Sequence, residues 1–400
     1  MIQRESYMRR IRPFIDKEII KVLTGFRRSG KSVMLQLIQE ELLARGAKRE
    51  QIISFNFESM ANVNYRTASA LYEEIAARLS KISGKAYLFF DEIQEVRDWE
   101  RCINSCQVDF SCDIYITGSN AKLLSGELAT YLGGRYVEFV IYPFSFSEYL
   151  ASRKTPRDIA RGFRSYIEFG GMPFLKNFPD DPNSSLQYLH DLQNSVVLKD
   201  IVKRNNVRDV DLLERLIAYV TANIAHTFSA RSISNYFKSE RRNVSIDTIL
   251  NHLRACSDAY LFRKICREDV IGKRILSVHE KYYIIDHGLR EAAYGNNMRD
   301  IEQVLENIVC LELLRRDYTV TVGKVGEKEI DFIAKKDGAK IYIQVTYLLA
   351  SAETAAREFA PYDDVRDNYP KYVLSLDEFD RSRDGIKHCN IRDFLLADAW

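Results

Sequence analysis

The chain has no run of about eighteen apolar residues, so no membrane span is expected. Residues 1–15 are basic but lack a continuous apolar stretch, which argues against a secretion signal. Charge of one sign is not in excess. Lys and Arg number 58 against 56 Asp and Glu, a formal net charge of +2. That excludes a blanket polycation, and any nucleic-acid surface must be a local patch. Cysteines are few: Cys102, Cys106, Cys112, Cys256, Cys266, Cys310 and Cys389. No pair has C-x-x-C spacing, and no His accompanies the first three. A disulfide framework or zinc knuckle is therefore not expected, and a reducing, cytoplasmic setting is the default. What is present is ordinary globular composition, 46% hydrophobic and 28% charged. Four hundred residues suit roughly two to three domains with one or more full cores.

The most informative stretch is Gly25-Phe26-Arg27-Arg28-Ser29-Gly30-Lys31-Ser32, which fits G-x-x-x-x-G-K-[ST] at every fixed position. An apolar run, Ile19 to Leu23, leads into it, with Lys21 its one charged interruption. A helical pattern follows through Val33, Leu35, Leu37, Ile38 and Leu42. Strand, glycine loop and helix are the context in which backbone N–H groups can close around phosphate oxygens. Gly25, Arg27, Arg28, Ser29, Gly30, Lys31, Ser32 and Val33 are the expected ATP-binding residues. Lys31 would reach the terminal phosphates, and Ser32 would offer its hydroxyl to Mg²⁺.

Tyr87-Leu88-Phe89-Phe90-Asp91-Glu92 follows about sixty residues later. A buried strand would deliver two carboxylates to the sheet edge beside the loop. Asp91 is expected in the Mg²⁺ shell, and Glu92 is expected to polarise the attacking water. A further strand, Asp113 to Thr117, runs into Gly118-Ser119-Asn120. Asn120 is the first candidate for a residue sensing the γ-phosphate, with Thr117 and Ser119 behind it; capping the helix after it is an equal alternative. Gly133-Gly134-Arg135-Tyr136 then precedes a strand. Arg135 suits an arginine finger offered to a neighbouring subunit, or a structural Arg at the sheet edge. Arg9, Arg10 and Arg12 read as a solvated basic surface rather than as nucleotide contacts.

The spacing of these motifs resembles the archaeal and bacterial AAA-type ATPases. Tyr142-Pro143-Phe144-Ser145-Phe146-Ser147-Glu148-Tyr149 and Phe169-Gly170-Gly171-Met172-Pro173 are similar to stretches of that family, as is Tyr282-Tyr283-Ile284-Ile285-Asp286-His287-Gly288. The resemblance implies an α/β fold built on an additional-strand P-loop core, self-association into a homo-oligomer, and a winged-helix segment and nuclease-like domain behind the core. No second sensor Arg is evident.

The expected boundaries are 1–146 for the ATPase core and 147–208 for a helical lid and connector. A winged helix-turn-helix would span 209–295 and a nuclease-like domain 296–400. In 209–295 three helices precede a hairpin around Gly272. From His226 to Lys281 eleven Lys or Arg face six Asp or Glu. Arg241, Arg242, Asn251, Arg254, Lys273 and Arg274 are the candidate DNA contacts; a packing or interaction module is the alternative. The last segment resembles the restriction-endonuclease-like core, with Glu306 on a helix and Asp331 on the second strand. On the third strand Gln344 stands for Glu and Thr346 for Lys. Mg²⁺-dependent cleavage needs those carboxylates and a cation, so a retained binding fold is expected rather than an active nuclease. The resulting expectation is an ATP-hydrolysing switch acting on DNA or a protein partner. A scaffold with little turnover and an ATP-controlled nuclease are the alternatives.

Overall fold

A computed structural model of the chain describes residues 2–121, 134–153, 158–178, 181–272, 274–295 and 297–400, with backbone only at 277–279. It divides into two compact units. The first is Met1–Tyr142 with Asp258–Tyr260; the second is Pro143–Ser257 with Leu261–Trp400.

The first unit is an α/β structure. A short helix α1 (Glu5–Ile11) precedes strand β1 (Ile20–Thr24) and helix α2 (Lys31–Ala44). Then come β2 (Ile52–Asn56), α3 (Ala68–Leu79), β3 (Ala86–Asp91), α4 (Trp99–Asp109), β4 (Cys112–Thr117) and β5 (Tyr136–Val140). The strands form one parallel sheet in the order β2-β3-β4-β1-β5. β4 thus lies between the strand leading to the glycine loop and the strand carrying Asp91, the additional-strand arrangement.

Every residue of β1 and β3 is buried, because helices cover both faces of a parallel sheet. Alternation along β3 divides its side chains. Leu88 and Phe90 join the core under α3 and α4 with Phe55 and Trp99. Tyr87 and Phe89 join the core under α1 and α2 with Met34 and Tyr115. Phe55 stacks on Phe90 at 5.8 Å and Phe89 on Tyr115 at 4.7 Å between ring centres.

Lys21, the charge inside the β1 run, is 0% exposed. Its ammonium donates to the Asp113 carboxylate on β4 and to the Lys17 carbonyl. Asp113 also accepts from the Tyr115 hydroxyl at 2.8 Å and the Asp16 amide at 2.9 Å. Burial pushes the Lys21 ammonium below its ordinary pKa against the pull of Asp113.

The second unit begins with helices α5 (Phe146–Ser152), α6 (Ile159–Phe169) and α7 (Pro182–Val196). α7 widens into a π-helical stretch over Val197–Lys203. Helices α8 (Val210–Ala222), α9 (Ala230–Ser239) and α10 (Ile246–Asp258) follow, with the two-residue strand β6 (Thr227–Phe228) between α8 and α9. Ser229 and Ser245 cap α9 and α10, accepting from the Ser232 and Thr248 amides.

The hairpin β7 (Phe262–Asp269) and β8 (Arg274–Ile284) comes next. Then follow α11 (His287–Tyr294), α12 (Ile301–Arg315), β9 (Thr319–Val325), β10 (Lys328–Lys336), β11 (Ala339–Val345), α13 (Ala352–Phe359), β12 (Lys371–Ser375), β13 (Lys387–Asn390) and α14 (Ile391–Leu396). One eight-stranded sheet runs β13-β12-β11-β10-β9-β7-β8-β6. It crosses position 295, because β7 pairs in parallel with β9 through Arg267–Asp269.

Two of the stretches singled out in sequence meet in this unit. Asp286 accepts from the Gly171 amide at 2.8 Å and the Gly288 amide at 2.9 Å. A Cβ at Gly171 would stand 2.3 Å from the Phe144 carbonyl oxygen, so no larger residue fits there. Burial raises Asp286 to about 7 against the pull of those amides.

Replacing Asp113 with Ala strands the Lys21 ammonium in the first core. A loss of about 3–5 kcal/mol is expected in urea unfolding. Adding Lys21→Met should recover most of it; if the double variant is no more stable than Asp113→Ala, the pairing is not what Asp113 contributes.

Candidate active site at the glycine loop

The loop between β1 and α2 takes left-handed backbone at three residues, Arg28 (φ 62°) and two glycines. Gly25 has φ +135° and Gly30 +104°. A Cβ at Gly25 would lie 2.3 Å from the Ile141 carbonyl oxygen, so glycine is required by contact as well as by conformation. α2 starts at Lys31, and the first-turn N–H groups of a helix have no intrahelical acceptor. Lys31 is 4% exposed. Its Nζ donates to the Gly25 and Phe26 carbonyls at 3.1 and 3.2 Å and lies 3.6 Å from Glu92 Oε1. The Ser29 hydroxyl is buried without a hydrogen-bond partner among the described residues. Arg28 is exposed, Val33 is at the surface, and Arg27 donates to Glu58 Oε1 at 2.8 Å.

β3 ends in Asp91 beside the loop. Thr117, the last residue of β4, joins the two carboxylate residues. Its hydroxyl donates to Asp91 Oδ1 at 2.6 Å and accepts from the Glu92 amide at 2.9 Å. Ser32 stands near enough to the Asp91 carboxyl to favour its charged form. Burial raises the Asp91 pKa, and the Thr117 bond and Ser32 oppose that rise. Glu92 sits in the left-handed region, φ 55°, which costs a non-glycine residue of order 1–3 kcal/mol and persists only when surroundings hold it. Its carboxylate accepts from Gln94 and Ser119. Burial works to raise its pKa, but the Lys31 charge and these bonds outweigh it, and Glu92 is held below the usual range. Asp91 and Ser32 form a compact all-oxygen donor set of the kind Mg²⁺ takes. The orphaned Ser29 hydroxyl and the Lys31 ammonium suit a phosphate group above the loop.

Of the three polar residues weighed at the end of β4, Thr117 and Ser119 touch the carboxylates. Asn120 is buried one residue beyond Ser119. Arg135 lies elsewhere. Its carbonyl accepts from the Ile20 amide at 2.9 Å, at the start of β1, and its side chain is exposed. The loop leaves the far end of β1, about 16 Å away at about 3.3 Å per residue. Arg135 is therefore outside this chain's own loop site.

Sequence reasoning missed Arg4. Its buried guanidinium donates to the Ser29 carbonyl at 3.0 Å and the Tyr142 carbonyl at 2.7 Å, and it lies over the Tyr7 ring at 4.6 Å. It holds the loop to the segment after β5. No local pattern marks it, since Ser29 and Tyr142 are 25 and 138 positions away.

In the second unit Arg241, Asn251, Arg254 and Arg274 are exposed. Arg242 pairs with Asp211. Lys273 lies outside the described residues. Glu306 and Asp331 come together around Lys281, whose Nζ is 2.8 Å from Glu306, 2.8 Å from Glu329 and 3.5 Å from Asp331. Burial works against that ammonium, but Glu306, Asp331 and Glu329 outweigh it and raise its pKa. Gln344 does not join them through its amide nitrogen. It accepts from the Asp331 amide at 3.3 Å and donates to Glu358 at 3.0 Å. The Thr346 hydroxyl is buried with no partner among the described residues. Glu329 was readable as two positions from Asp331 on one strand face. Lys281 was not, because only the β7–β9 pairing brings it there.

A parallel sheet with an added strand, a glycine loop closed on a lysine and two carboxylates at the next edge define an AAA-like P-loop ATPase domain. Residues 17–150 match the family model described as an AAA domain, and residues 160–300 match that of a domain of unknown function. An uncharacterized protein of Haemophilus influenzae is 38% identical over 400 residues, spanning 99% of each chain. One of Methanocaldococcus jannaschii is 30% identical over 359 residues, spanning 86% of this chain and 78% of its own. The chain belongs to the family of these two proteins. In fold it is similar to a Walker-type ATPase of Pyrococcus abyssi, with a TM-score of 0.51, 14% identity, and 73% of this chain and 96% of that one covered. Among the described residues no helix is long and apolar enough to cross a membrane.

Since burial places the folded Asp91 carboxyl above its unfolded pKa, its ionised form weakens the fold. Asp91→Asn is expected to raise the urea midpoint of the nucleotide-free protein at neutral pH. That gain should vanish below about pH 4, where the carboxyl is protonated in both states. An unchanged or lowered midpoint at pH 7 would contradict the assignment.

Proposed function

We propose that the chain binds ATP with Mg²⁺ and hydrolyses it, using the nucleotide to switch the conformation of an assembly that acts on DNA or a protein partner. The observation that carries the reading is the convergence of Lys31, Ser32, Asp91 and Glu92, with Thr117 fixing both carboxylate residues. Lys31 and the loop amides orient the β- and γ-phosphates. Asp91 and Ser32 hold Mg²⁺, which screens charge on the phosphate oxygens. Glu92, kept ionised, aligns and polarises the attacking water. Ser119 and Thr117 hold Glu92 in place, with Asn120 the candidate contact to the γ-phosphate.

Arg135 acts in this reading on a neighbouring copy. Its exposure at the opposite sheet edge supports a role in trans, which makes a homo-oligomer part of the proposal, in a cytoplasmic setting. The order α8, α9, α10, β7–β8 supports a winged helix-turn-helix, and the exposed Arg241, Asn251, Arg254 and Arg274 support DNA as its partner. An open cavity of about 510 Å³ beside the start of α10 has a mixed lining, with Arg208 and Arg242 beside Asp209, Leu212 and Val244. The restriction-endonuclease-like reading of the C-terminal segment is kept as a binding fold without cleavage.

Lys31→Ala is expected to abolish nucleotide binding. Glu92→Gln should retain binding and lower turnover about 10²–10⁴-fold. Arg135→Ala should lower turnover without weakening binding, and mixing it with Lys31→Ala should restore activity, since each variant supplies what the other lacks. Steady-state phosphate release with and without DNA decides between these outcomes and a scaffold that hardly turns over. Wild-type turnover in Glu92→Gln would overturn the role of Glu92.

For DNA, fluorescence anisotropy of the full chain at rising salt is the measurement. Replacing Arg241, Arg254 and Arg274 together with Ala should flatten the salt slope by up to three phosphate contacts, each about −0.9 in log–log slope. No binding by the wild type at low salt would reassign this segment to protein contacts.

A further inference from the structure

The carboxylate cluster of the second unit already holds a cation of its own. Glu306 lies on α12, Glu329 and Asp331 lie two apart on β10, and Lys281 comes from β8. Its Nζ lies 2.8 Å from Glu306 Oε1, 2.8 Å from Glu329 Oε1 and 3.5 Å from Asp331 Oδ1. Lys281 itself is 3% exposed. Each of the three acids has a further partner. The Tyr283 hydroxyl donates to Glu306 at 2.6 Å, the Val345 amide to Asp331 Oδ2 at 2.8 Å, and Arg267 stands 3.5 Å from Glu329. The lysine is held in place by its strand. The Ile284 amide and carbonyl, three residues on, bond the Asn307 side chain of α12 at 2.8 and 3.0 Å.

We infer that Lys281 is the resident cation of this cluster, occupying the position that a divalent metal would take between Glu306, Glu329 and Asp331. The side chains do not fit a metal while the lysine is there. An ammonium and a dication cannot share the same three oxygens, because two unit charges 4 Å apart already repel by about 4 kcal/mol at an effective dielectric of 20. The acids are spaced for N–H···O contacts. Ca²⁺ would need the Glu306 and Glu329 oxygens drawn in by a few tenths of an ångström and the Asp331 oxygen by about 1 Å. As they stand around the lysine, these acids do not form a metal site, and among the described residues no other three carboxylate, imidazole or thiol groups do; a site forms only if removal of Lys281 lets the three acids close in. The missing third-strand acid fits the same account, since Gln344 faces the Asp331 amide and Glu358 instead of a cation. Lys281 thereby fastens the hairpin to α12 and β10 through three carboxylates in place of a metal bridge. The inference is independent of ATP turnover at the glycine loop.

The test is Mn²⁺ titration of the nucleotide-free full chain, followed by electron paramagnetic resonance. An Asp91→Asn background silences the first site. In that background the wild-type cluster is expected to take up no Mn²⁺. Adding Lys281→Ala should create one Mn²⁺ site at least tenfold tighter than any in the background, and adding Asp331→Asn should remove it. The same Lys281→Ala protein should gain thermal stability with Mn²⁺, a readout independent of the spectroscopy. Stoichiometric Mn²⁺ uptake with Lys281 present, lost on Glu306→Gln, would overturn the inference. So would a folded Lys281→Ala protein with no new site. Should Lys281→Ala not fold, Lys281→Met keeps the stem and opens the same oxygens, and the arm with Lys281 intact decides by itself.

Discussion

A charge removed from water must be met by another charge or by hydrogen bonds, and this constraint runs through the whole chain. Lys21 inside the first sheet is met by Asp113. Lys31 is met by two loop carbonyls and Glu92. Lys281 is met by three acids. In each case the lysine ties segments far apart in sequence: β1 to β4, α2 to the residue after β3, β8 to α12 and β10. The parallel core can afford few such groups, because both of its faces are covered. Its remaining polar groups collect where the strands end, and the reactive edge lies there.

The carboxylate clusters around Lys31 and around Lys281 answer this constraint in different ways. At the loop, Glu92 meets Lys31 at 3.6 Å, longer than a hydrogen bond, and among the described residues the Asp91 carboxylate accepts from the Thr117 hydroxyl and from no cation. Burial leaves Asp91 with a raised pKa, so it is a carboxylate short of positive charge. A cation brought to Ser32 and Asp91 would relieve that shortage. In the second unit the shortage is already relieved by Lys281. One cluster is therefore suited to an exchangeable cation, whereas the other is locked by a covalently attached one.

The parts legible in sequence were those whose partners lie close along the chain. The glycine pattern and the apolar run into Asp91-Glu92 each need only a few consecutive residues. Gly170-Gly171 and Asp286-His287-Gly288 were visible as separate stretches, but their packing against one another depends on a contact across more than a hundred residues. Thr117 ranked behind Asn120 because a strand end offers several polar side chains. Sequence does not say which one faces the neighbouring strand. The pleat decides it: Thr117 is the last paired residue of β4, and β3 lies beside it. Arg4 left no signal at all, since an arginine in a basic leading helix looks like any other.

Arg135 shows the same limit from the opposite side. Its glycine context was readable, and its distance from the loop was not. In a parallel sheet every strand runs from one edge to the other, so a residue just before a strand and a loop just after one are on opposite edges. β5 pairs with β1 in register from Ile20 to Thr24, which fixes Arg135 at the edge away from Lys31. Any chemistry joining the two requires a second copy presenting its near edge to this copy's far one. A two-fold pair lying antiparallel, in which each Arg135 meets the other's loop, meets that requirement as well as a head-to-tail ring or filament does.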